Sequence, residues 1–202
     1  MNLPSYLERR AAPLVAEALE DTRVVVVIGA RQAGKSTLVH EVSRDISNVR
    51  ERRLDRPNEL QAATADPVAF VEHDGLLVVD EIQRAPELLL PIKARVDVDQ
   101  RPGQYILTGS ARLLGLRNVP DALVGRTETV ELWPFSQGEL DGSPDEWVDR
   151  VFDVSPDWRS PEVLERTDYL ERSVRGGFPE AVRRQGRRRE RFFESYVNDL
   201  LD

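Results

Sequence analysis

The sequence contains no cysteine, which excludes disulfide bonds and thiolate chemistry. His40 and His73 are its only imidazoles, and the residues around them do not have the spacing of metal ligands. Apolar runs such as 24–28 and 75–79 are far too short to cross a bilayer. The first residues, Met-Asn-Leu-Pro, lack the basic start and apolar core of a signal peptide. We therefore expect a cytoplasmic protein that does not associate with membranes.

The 36 acidic residues outnumber the 28 lysines and arginines, so the formal net charge is -8 at pH 7. Such a chain has no overall attraction to nucleic acid, so binding to it would have to be local. The one basic cluster, at 183–191, is able to contact nucleic-acid phosphates, but such a run is also typical of a solvated helix face or of a contact with an acidic partner. A protein partner and a nucleic acid both stay open.

Lysine is limited to Lys35 and Lys93, and Lys35 lies where phosphate chemistry requires an ammonium group. The segment Gly-Ala-Arg-Gln-Ala-Gly-Lys-Ser at 29–36 matches the P-loop pattern G-x-x-x-x-G-K-[ST] and lies between an apolar strand and a predicted helix. Its glycines permit close approach of the backbone, whose amides then surround an anion at the helix start. The predicted nucleotide-binding residues are Gly29, Ala30, Arg31, Gln32, Ala33, Gly34, Lys35, Ser36 and Thr37.

P-loop chemistry assigns roles within this segment. Lys35 would reach the β- and γ-phosphates, and the Ser36 hydroxyl would bind Mg²⁺. The sequence has no Asn-Lys-x-Asp motif of the kind that reads guanine. We therefore expect ATP as the nucleotide.

A second apolar run, Leu-Leu-Val-Val at 76–79, ends in Asp80 and Glu81, which is the form of a Walker B strand. Strands often end in acids for solubility alone, but downstream of a P-loop the pattern predicts function. Asp80 would hold a Mg²⁺-bound water, and Glu81 would act as general base toward the attacking water. This pair favours hydrolysis over phosphoryl transfer to a small substrate.

Two further positions are candidates for γ-phosphate contacts. Thr108 and Ser110 end a predicted strand and either can donate a hydrogen bond as a sensor, although Ser110 is equally suited to cap the next helix. Arg126 precedes another strand and can act as an arginine finger on a neighbouring subunit, or be a solvated arginine. The predicted catalytic set is Glu81, Lys35, Ser110 and Arg126, and the predicted metal ligands are Ser36 and Asp80.

Strands and helices alternate along the chain, which predicts an α/β fold with a parallel sheet in three layers. The predicted strands lie at 23–28, 52–54, 75–80, 104–108 and 127–132. The predicted helices lie at 4–20, 36–42, 58–71, 86–96, 111–123 and 168–201, the last with a break at 176–179. An acidic loop is predicted at 141–166. We expect the tryptophans Trp133, Trp147 and Trp158 to pack in the core or at loops.

The motifs together resemble a prokaryotic family of AAA-type ATPases. The resemblance rests on the P-loop octet, Val-Val-Asp-Glu-Ile-Gln-Arg-Ala-Pro-Glu-Leu, Ile-Leu-Thr-Gly-Ser-Ala, and Gly-Arg followed by Glu-Leu-Trp-Pro-Phe-Ser. It implies an AAA-like three-layer P-loop NTPase sheet flanked by helices, with a small helical C-terminal extension. It also implies that the sensor strand separates the P-loop and Walker B strands. Family members continue into a C-terminal domain of unknown function near the point where this chain stops.

These observations divide the chain into an AAA-like core at 1–135, an acidic insertion at 136–166 and a helical lid or linker at 167–202. The function predicted is Mg²⁺-dependent ATP binding and hydrolysis that drives a conformational change. A nucleotide-dependent binding module with negligible hydrolysis, acting on DNA or protein, is the alternative, and a small-molecule kinase is a third. Arg126 leaves a homo-oligomer open. An apolar stripe is a candidate association surface: Phe192, Phe193, Tyr196, Leu200 and Leu201.

Overall fold

The computed structural model describes residues 6–110, 123–142, 152 and 164–201. Nearly all of the helix predicted at 111–123, together with Trp147 and Trp158, lies outside the described residues. The chain forms two compact units, one of residues 10–133 and one of residues 1–9 with 134–202. The three-part division expected from the sequence stays a prediction.

A five-stranded sheet forms the centre of the first unit, and all of its strand pairs are parallel. The strand order is β2-β3-β4-β1-β5. This order confirms that the sensor strand β4 lies between the P-loop strand β1 and the Walker B strand β3. The strands are β1 (Val24–Gly29), β2 (Val49–Arg53), β3 (Leu76–Asp80), β4 (Tyr105–Ser110) and β5 (Thr127–Leu132).

Helices cover both faces of the sheet, which explains why its central strands are apolar without alternation. In β1, Val25 and Val27 face one apolar cluster, with α1 (Ala11–Asp21) and α2 (Lys35–Ser43). Val24, Val26 and Ile28 face the other cluster, which includes residues of the three helices on the opposite side. Those helices are α3 (Pro57–Ala65), α4 (Pro67–Val71) and α5 (Leu89–Val98). The three-layer α/β prediction is confirmed.

Proline explains where two helix predictions were wrong. The first helix begins at Ala11 rather than near residue 4, which places Pro13 in the first turn, where its missing N–H costs no helical hydrogen bond. The helix predicted at 58–71 is two helices, because a residue before proline avoids helical angles. Asp66 ends the first helix and caps the second, and its side chain accepts a hydrogen bond from the Ala69 amide at 3.0 Å.

The segment after β3 also differs from the single helix predicted at 86–96. Two 3₁₀ turns, Ile82–Arg84 and Pro86–Leu88, precede α5. Trp133, which follows β5, lies in a loop and is 68% exposed, so it does not belong to the core.

The second unit is helical over much of its described part. Its helices include α6 (Gln137–Asp141), α7 (Arg166–Arg175), α8 (Pro179–Val182) and α9 (Arg187–Leu201). A capping box starts α6, since Ser136 accepts from the Glu139 amide and the Glu139 carboxylate accepts from the Ser136 amide. The expected break near 176–179 is confirmed between α7 and α8.

The first glycine of the P-loop is required by the sheet itself. A Cβ on Gly29 would lie 2.2 Å from the Leu132 carbonyl oxygen of β5. We predict that Gly29→Ala lowers the free energy of unfolding by about 3 kcal/mol, because a backbone atom cannot move aside as a side chain can. Gly125→Ala is the matched control, since no atom of the described residues lies within 4 Å of its Cβ and its left-handed backbone opposes the change by about 1 kcal/mol. Equal midpoints of urea unfolding for the two variants would contradict this reading.

Candidate nucleotide-binding site

The loop between β1 and α2 has the backbone shape of an anion-binding turn. Gln32 has a φ of 63° and Gly34, the N-cap of α2, has a φ of 99°. These left-handed residues turn the chain sharply, so α2 starts directly beyond the end of β1. The first amides of a helix have no partner within it and attract an anion. The loop therefore has the local geometry that phosphate binding requires.

Lys35 lies folded over this loop. Its ammonium donates hydrogen bonds to the carbonyl oxygens of Gly29 at 3.2 Å and Ala30 at 3.0 Å, and the residue is only 5% exposed. Burial lowers the pKa of Lys35, while the nearby carboxylates of Glu81 and Asp80 oppose this shift. The lysine charge therefore lies in a largely dry site, in the field of both acids.

The Asp80 carboxylate joins three elements at the carboxyl edge of the sheet. Ser36 Oγ of α2 donates to it, at 2.9 Å and 3.0 Å from its two oxygens. The hydroxyl of Thr108, a fully buried residue of β4, also donates to Asp80 and accepts from the Glu81 amide at 3.1 Å. Asp80 itself is 6% exposed. One buried carboxylate thus ties the P-loop helix to the Walker B and sensor strands.

The same oxygens suit a magnesium ion. Mg²⁺ prefers hard oxygen ligands at about 2.0–2.1 Å in an octahedron, which places neighbouring ligand oxygens about 2.9 Å apart. Ser36 Oγ and the Asp80 oxygens have this separation. Within the described residues, no three His, Asp or Glu side chains come together as a metal site. A P-loop Mg²⁺ needs no such cluster, because one hydroxyl, one carboxylate and substrate phosphates hold it.

Glu81 adopts an uncommon backbone conformation for a residue other than glycine, with φ 63° and ψ 46°. Its carboxylate accepts a hydrogen bond from Gln83 Nε2. Strained backbone angles of this kind cluster at functional sites. Sequence reasoning missed Gln83, although its position two residues after the acidic pair is the signal that would have found it.

A cavity of about 420 Å³ opens beside Asp80 on the side of the edge strand β2. Its lining residues are Ser36, Thr37, Val39, His40, Glu51, Arg52, Arg53, Val78, Asp80 and Thr108. Arg53 pairs in register with Asp80, and its Nε lies 4.0 Å from the carboxylate. Arg53 has no local sequence signal, because only the pairing of β2 with β3 brings it to the site.

The other two predicted catalytic residues, Ser110 and Arg126, lie at opposite edges of the sheet. Ser110 ends β4, partly exposed, in register with Gly29 of β1. Arg126 immediately precedes β5 and therefore lies at the amino edge of the sheet, opposite the P-loop. There its guanidinium donates hydrogen bonds to the Asp97 carboxylate. These bonds, together with one from Lys93, lower the pKa of Asp97 to about 2. Arg126 cannot contact a phosphate on its own P-loop, and its finger role stays a prediction.

The basic cluster and the apolar stripe both fall on or near α9. Arg184 lies over the Phe192 ring, 5.0 Å from its centroid, and Phe192 is buried. Leu200 and Leu201 are exposed, so only part of the stripe is covered.

His40 pairs with Glu51, while both ring nitrogens of His73 face backbone carbonyls. None of the helices in the described parts of the chain has the length and apolar character needed to cross a bilayer.

The hydroxyl of Thr108 is the most testable contact of the site. We predict that Thr108→Val, which keeps the shape of the side chain, lowers the free energy of unfolding by about 1–3 kcal/mol, because the partly buried Glu81 amide loses its acceptor and the buried Asp80 carboxylate loses a donor. Thr129→Val is the control, since Thr129 is exposed on β5 and should change stability by less than about 0.5 kcal/mol. Urea unfolding measures both. An unchanged Thr108→Val midpoint would show that these hydrogen bonds contribute nothing.

Comparison with solved structures gives likenesses of low sequence identity. The Walker-type ATPase PABY2304 of Pyrococcus abyssi is 17% identical with a TM-score of 0.49, and the match covers 86% of this chain and 65% of that one. The RuvB Holliday junction branch migration motor of Thermotoga maritima is 22% identical with a TM-score of 0.43, covering 72% and 50%.

Comparison of sequences gives a clearer result. The uncharacterized proteins Mb2031c of Mycobacterium bovis and Rv2008c of Mycobacterium tuberculosis are each 33% identical over 184 residues, 83% of this chain. The chain spans only 40% of the length of these relatives. The model of a family described as "AAA domain" matches residues 21–141, which contain the whole P-loop, Walker B and sensor arrangement. The chain therefore belongs to the AAA domain family and is a nucleotide-binding protein of the P-loop ATPase type.

Proposed function

We propose that this chain binds Mg²⁺-ATP and hydrolyses it, and that the nucleotide state changes its conformation. The carrying observation is that the hydroxyls of Ser36 and Thr108 both donate to Asp80 at the carboxyl edge of the sheet, where Lys35 is buried over the P-loop and binds the Gly29 and Ala30 carbonyls. A general acidic surface patch would not bury a lysine, a carboxylate and a threonine together. Membership of the AAA domain family supports the same function.

The loop amides and Lys35 would hold the phosphates. Lys35 already lies in the loop, and its carbonyl contacts can be exchanged for contacts to the β- and γ-phosphates. Because its surroundings are desolvated, each charge-assisted hydrogen bond formed there is stronger than it would be in water. Ser36 and Asp80 would hold the Mg²⁺, which supplies positive charge at the β- and γ-phosphate oxygens when bound.

Glu81 would orient and deprotonate the attacking water. Its position directly after Asp80, at the carboxyl edge of the sheet, supports this role, and its negative charge opposes the lowering of the Lys35 pKa by burial. Ser110, at the end of the neighbouring strand, would contact the γ-phosphate, because the Thr108 hydroxyl is already used by Asp80 and the Glu81 amide.

The hydrogen bonds around Asp80 would couple nucleotide binding to a change in the conformation of the protein. If Ser36 and Asp80 hold a metal ion, the hydrogen bond between them would be lost. Thr108 donates to Asp80 and accepts from the Glu81 amide, so a shift of the Asp80 carboxylate would also move Thr108 and the Glu81 backbone. Nucleotide-dependent rearrangement of this kind is the usual output of P-loop proteins.

One observation favours the alternative of a nucleotide-dependent binding module with slow turnover. The Glu81 carboxylate is hydrogen-bonded to Gln83, and a base held in this way must be released before it can act on water. Phosphate release over hours rather than minutes, with tight nucleotide binding, would support this second function.

The test compares ATP turnover and nucleotide affinity in the wild type, Lys35→Ala and Glu81→Gln. We expect Glu81→Gln to bind ATP normally and to lower kcat about 100-fold or more, since it removes the base alone. We expect Lys35→Ala to weaken nucleotide binding about 10-fold or more, since charge-assisted hydrogen bonds are lost.

Glu87→Gln is the matched control, because Glu87 is an exposed carboxylate shortly after Glu81, and its turnover should equal that of the wild type. Equal phosphate release by the wild type and Glu81→Gln would remove the catalytic assignment. Equal affinity in the wild type and Lys35→Ala would remove the phosphate site itself.

A further inference from the structure

Two arginines line the cavity beside Asp80, and they lie on opposite faces of the sheet. Arg52 donates a hydrogen bond to Glu59 of α3 at 3.1 Å and lies over the Phe70 ring of α4. Arg53 comes next along β2, so its side chain points to the other face, where α2 packs. Arg52 therefore holds α3 and α4 against the sheet, while the guanidinium of Arg53 is directed toward the candidate site.

Strand pairing confirms the face of β2 on which Arg53 lies. β2 pairs in parallel with β3, which places Arg53 opposite Asp80. Glu51 is opposite Val78 and contacts His40 of α2 at 3.0 Å. Val78 belongs to the apolar cluster on the α2 side of the sheet. Because side chains two residues apart on a strand share a face, Arg53 and Asp80 both point toward α2.

The guanidinium of Arg53 has weak contacts in its present position. Its Nε lies 4.0 Å from an Asp80 oxygen, which is longer than a hydrogen bond. Its Nη2 donates a hydrogen bond to Asp55 at 3.2 Å, and both side chains of this pair are 44% exposed. An exposed ion pair contributes little to stability. Arg53 can therefore exchange these contacts for a stronger anion without disturbing the core.

A bound nucleotide would change the charges around this arginine. Under the proposed function, Ser36 and Asp80 hold the Mg²⁺ that bridges the β- and γ-phosphates. The attraction between Asp80 and Arg53 would weaken beside the two positive charges of that ion. A terminal phosphate beside the ion would be an alternative partner for Arg53, because the planar guanidinium matches the geometry of a phosphate.

We propose that Arg53 binds the terminal phosphate of a nucleoside triphosphate held at the P-loop of the same chain. This inference rests on the proposed function and adds to it a residue that distinguishes a triphosphate from a diphosphate. ADP has no γ-phosphate, so Arg53 keeps its contacts with Asp55 and Asp80 when ADP is bound. Arg53 acts within its own chain, in contrast to the finger role predicted for Arg126 on a neighbouring subunit.

Calorimetry on the full chain, with Mg²⁺ present, tests the proposal with two ligands: ADP and the non-hydrolysable triphosphate analogue AMP-PNP. We expect Arg53→Gln to weaken AMP-PNP binding about 10-fold, as expected for the loss of a charge-assisted hydrogen bond. ADP affinity should stay unchanged, since ADP lacks the phosphate that Arg53 contacts. Arg53→Lys keeps the charge without the planar fork and should restore part of the lost AMP-PNP affinity.

Arg56→Gln is the matched control, because Arg56 is a nearby exposed arginine outside the cavity lining, and it should bind both ligands as the wild type does. Wild-type affinity of Arg53→Gln for AMP-PNP would overturn the proposal and leave the phosphate site intact. An equal loss of ADP and AMP-PNP affinity would also overturn it, because the variant would then have damaged the part of the site that both ligands share.

Tighter binding of both ligands by Arg53→Gln would overturn the proposal in a third way, because Arg53 would then only compete with Mg²⁺ for Asp80. Failure of the wild type to bind either ligand would overturn the proposed function together with this inference.

Discussion

The buried Asp80 carboxylate is the contact on which the candidate site depends. It accepts hydrogen bonds from the hydroxyls of Ser36 and Thr108, and Thr108 in turn accepts from the Glu81 amide. A buried carboxylate is costly unless it is hydrogen-bonded, so these donors are needed for the fold as well as for the proposed chemistry. The same carboxylate therefore stabilises the sheet edge and prepares it to receive a metal ion.

The parallel sheet is what brings these residues together. Parallel strands place all their carboxyl ends on one edge, and helices on both faces keep the central strands dry. Lys35 is buried in this environment, which lowers its pKa while Glu81 and Asp80 oppose the shift. A site of this kind holds unlike charges close together with little water between them. That electrostatic arrangement suits a triphosphate, which carries its own negative charge into a pocket of amide and ammonium donors.

Particular residues show how far the sequence could predict the site. The P-loop and the Asp80-Glu81 pair were found because a glycine pattern and an apolar run next to acids have a direct physical meaning at short range. The helix starting near residue 4 and the single helix at 58–71 were wrong, because Pro13 and Pro67 restrict the backbone more strongly than apolar spacing favours a helix. Arg53 was missed because only the pairing of β2 with β3 brings it beside Asp80. Gln83 was missed although it lies two residues after the acidic pair, because only the structure shows that its side chain donates to Glu81.

The sequence by itself determined the α/β class, the phosphate loop and the identity of the acids, because each depends on residues that are close along the chain. Only the tertiary structure decided that Thr108 binds Asp80, that Arg53 lies beside it, and that Arg126 lies at the far edge with Asp97. It also decided that Trp133, which follows β5, is exposed and not part of the core. These relations depend on strand order and register, which bring together residues far apart in the chain and which no local pattern encodes.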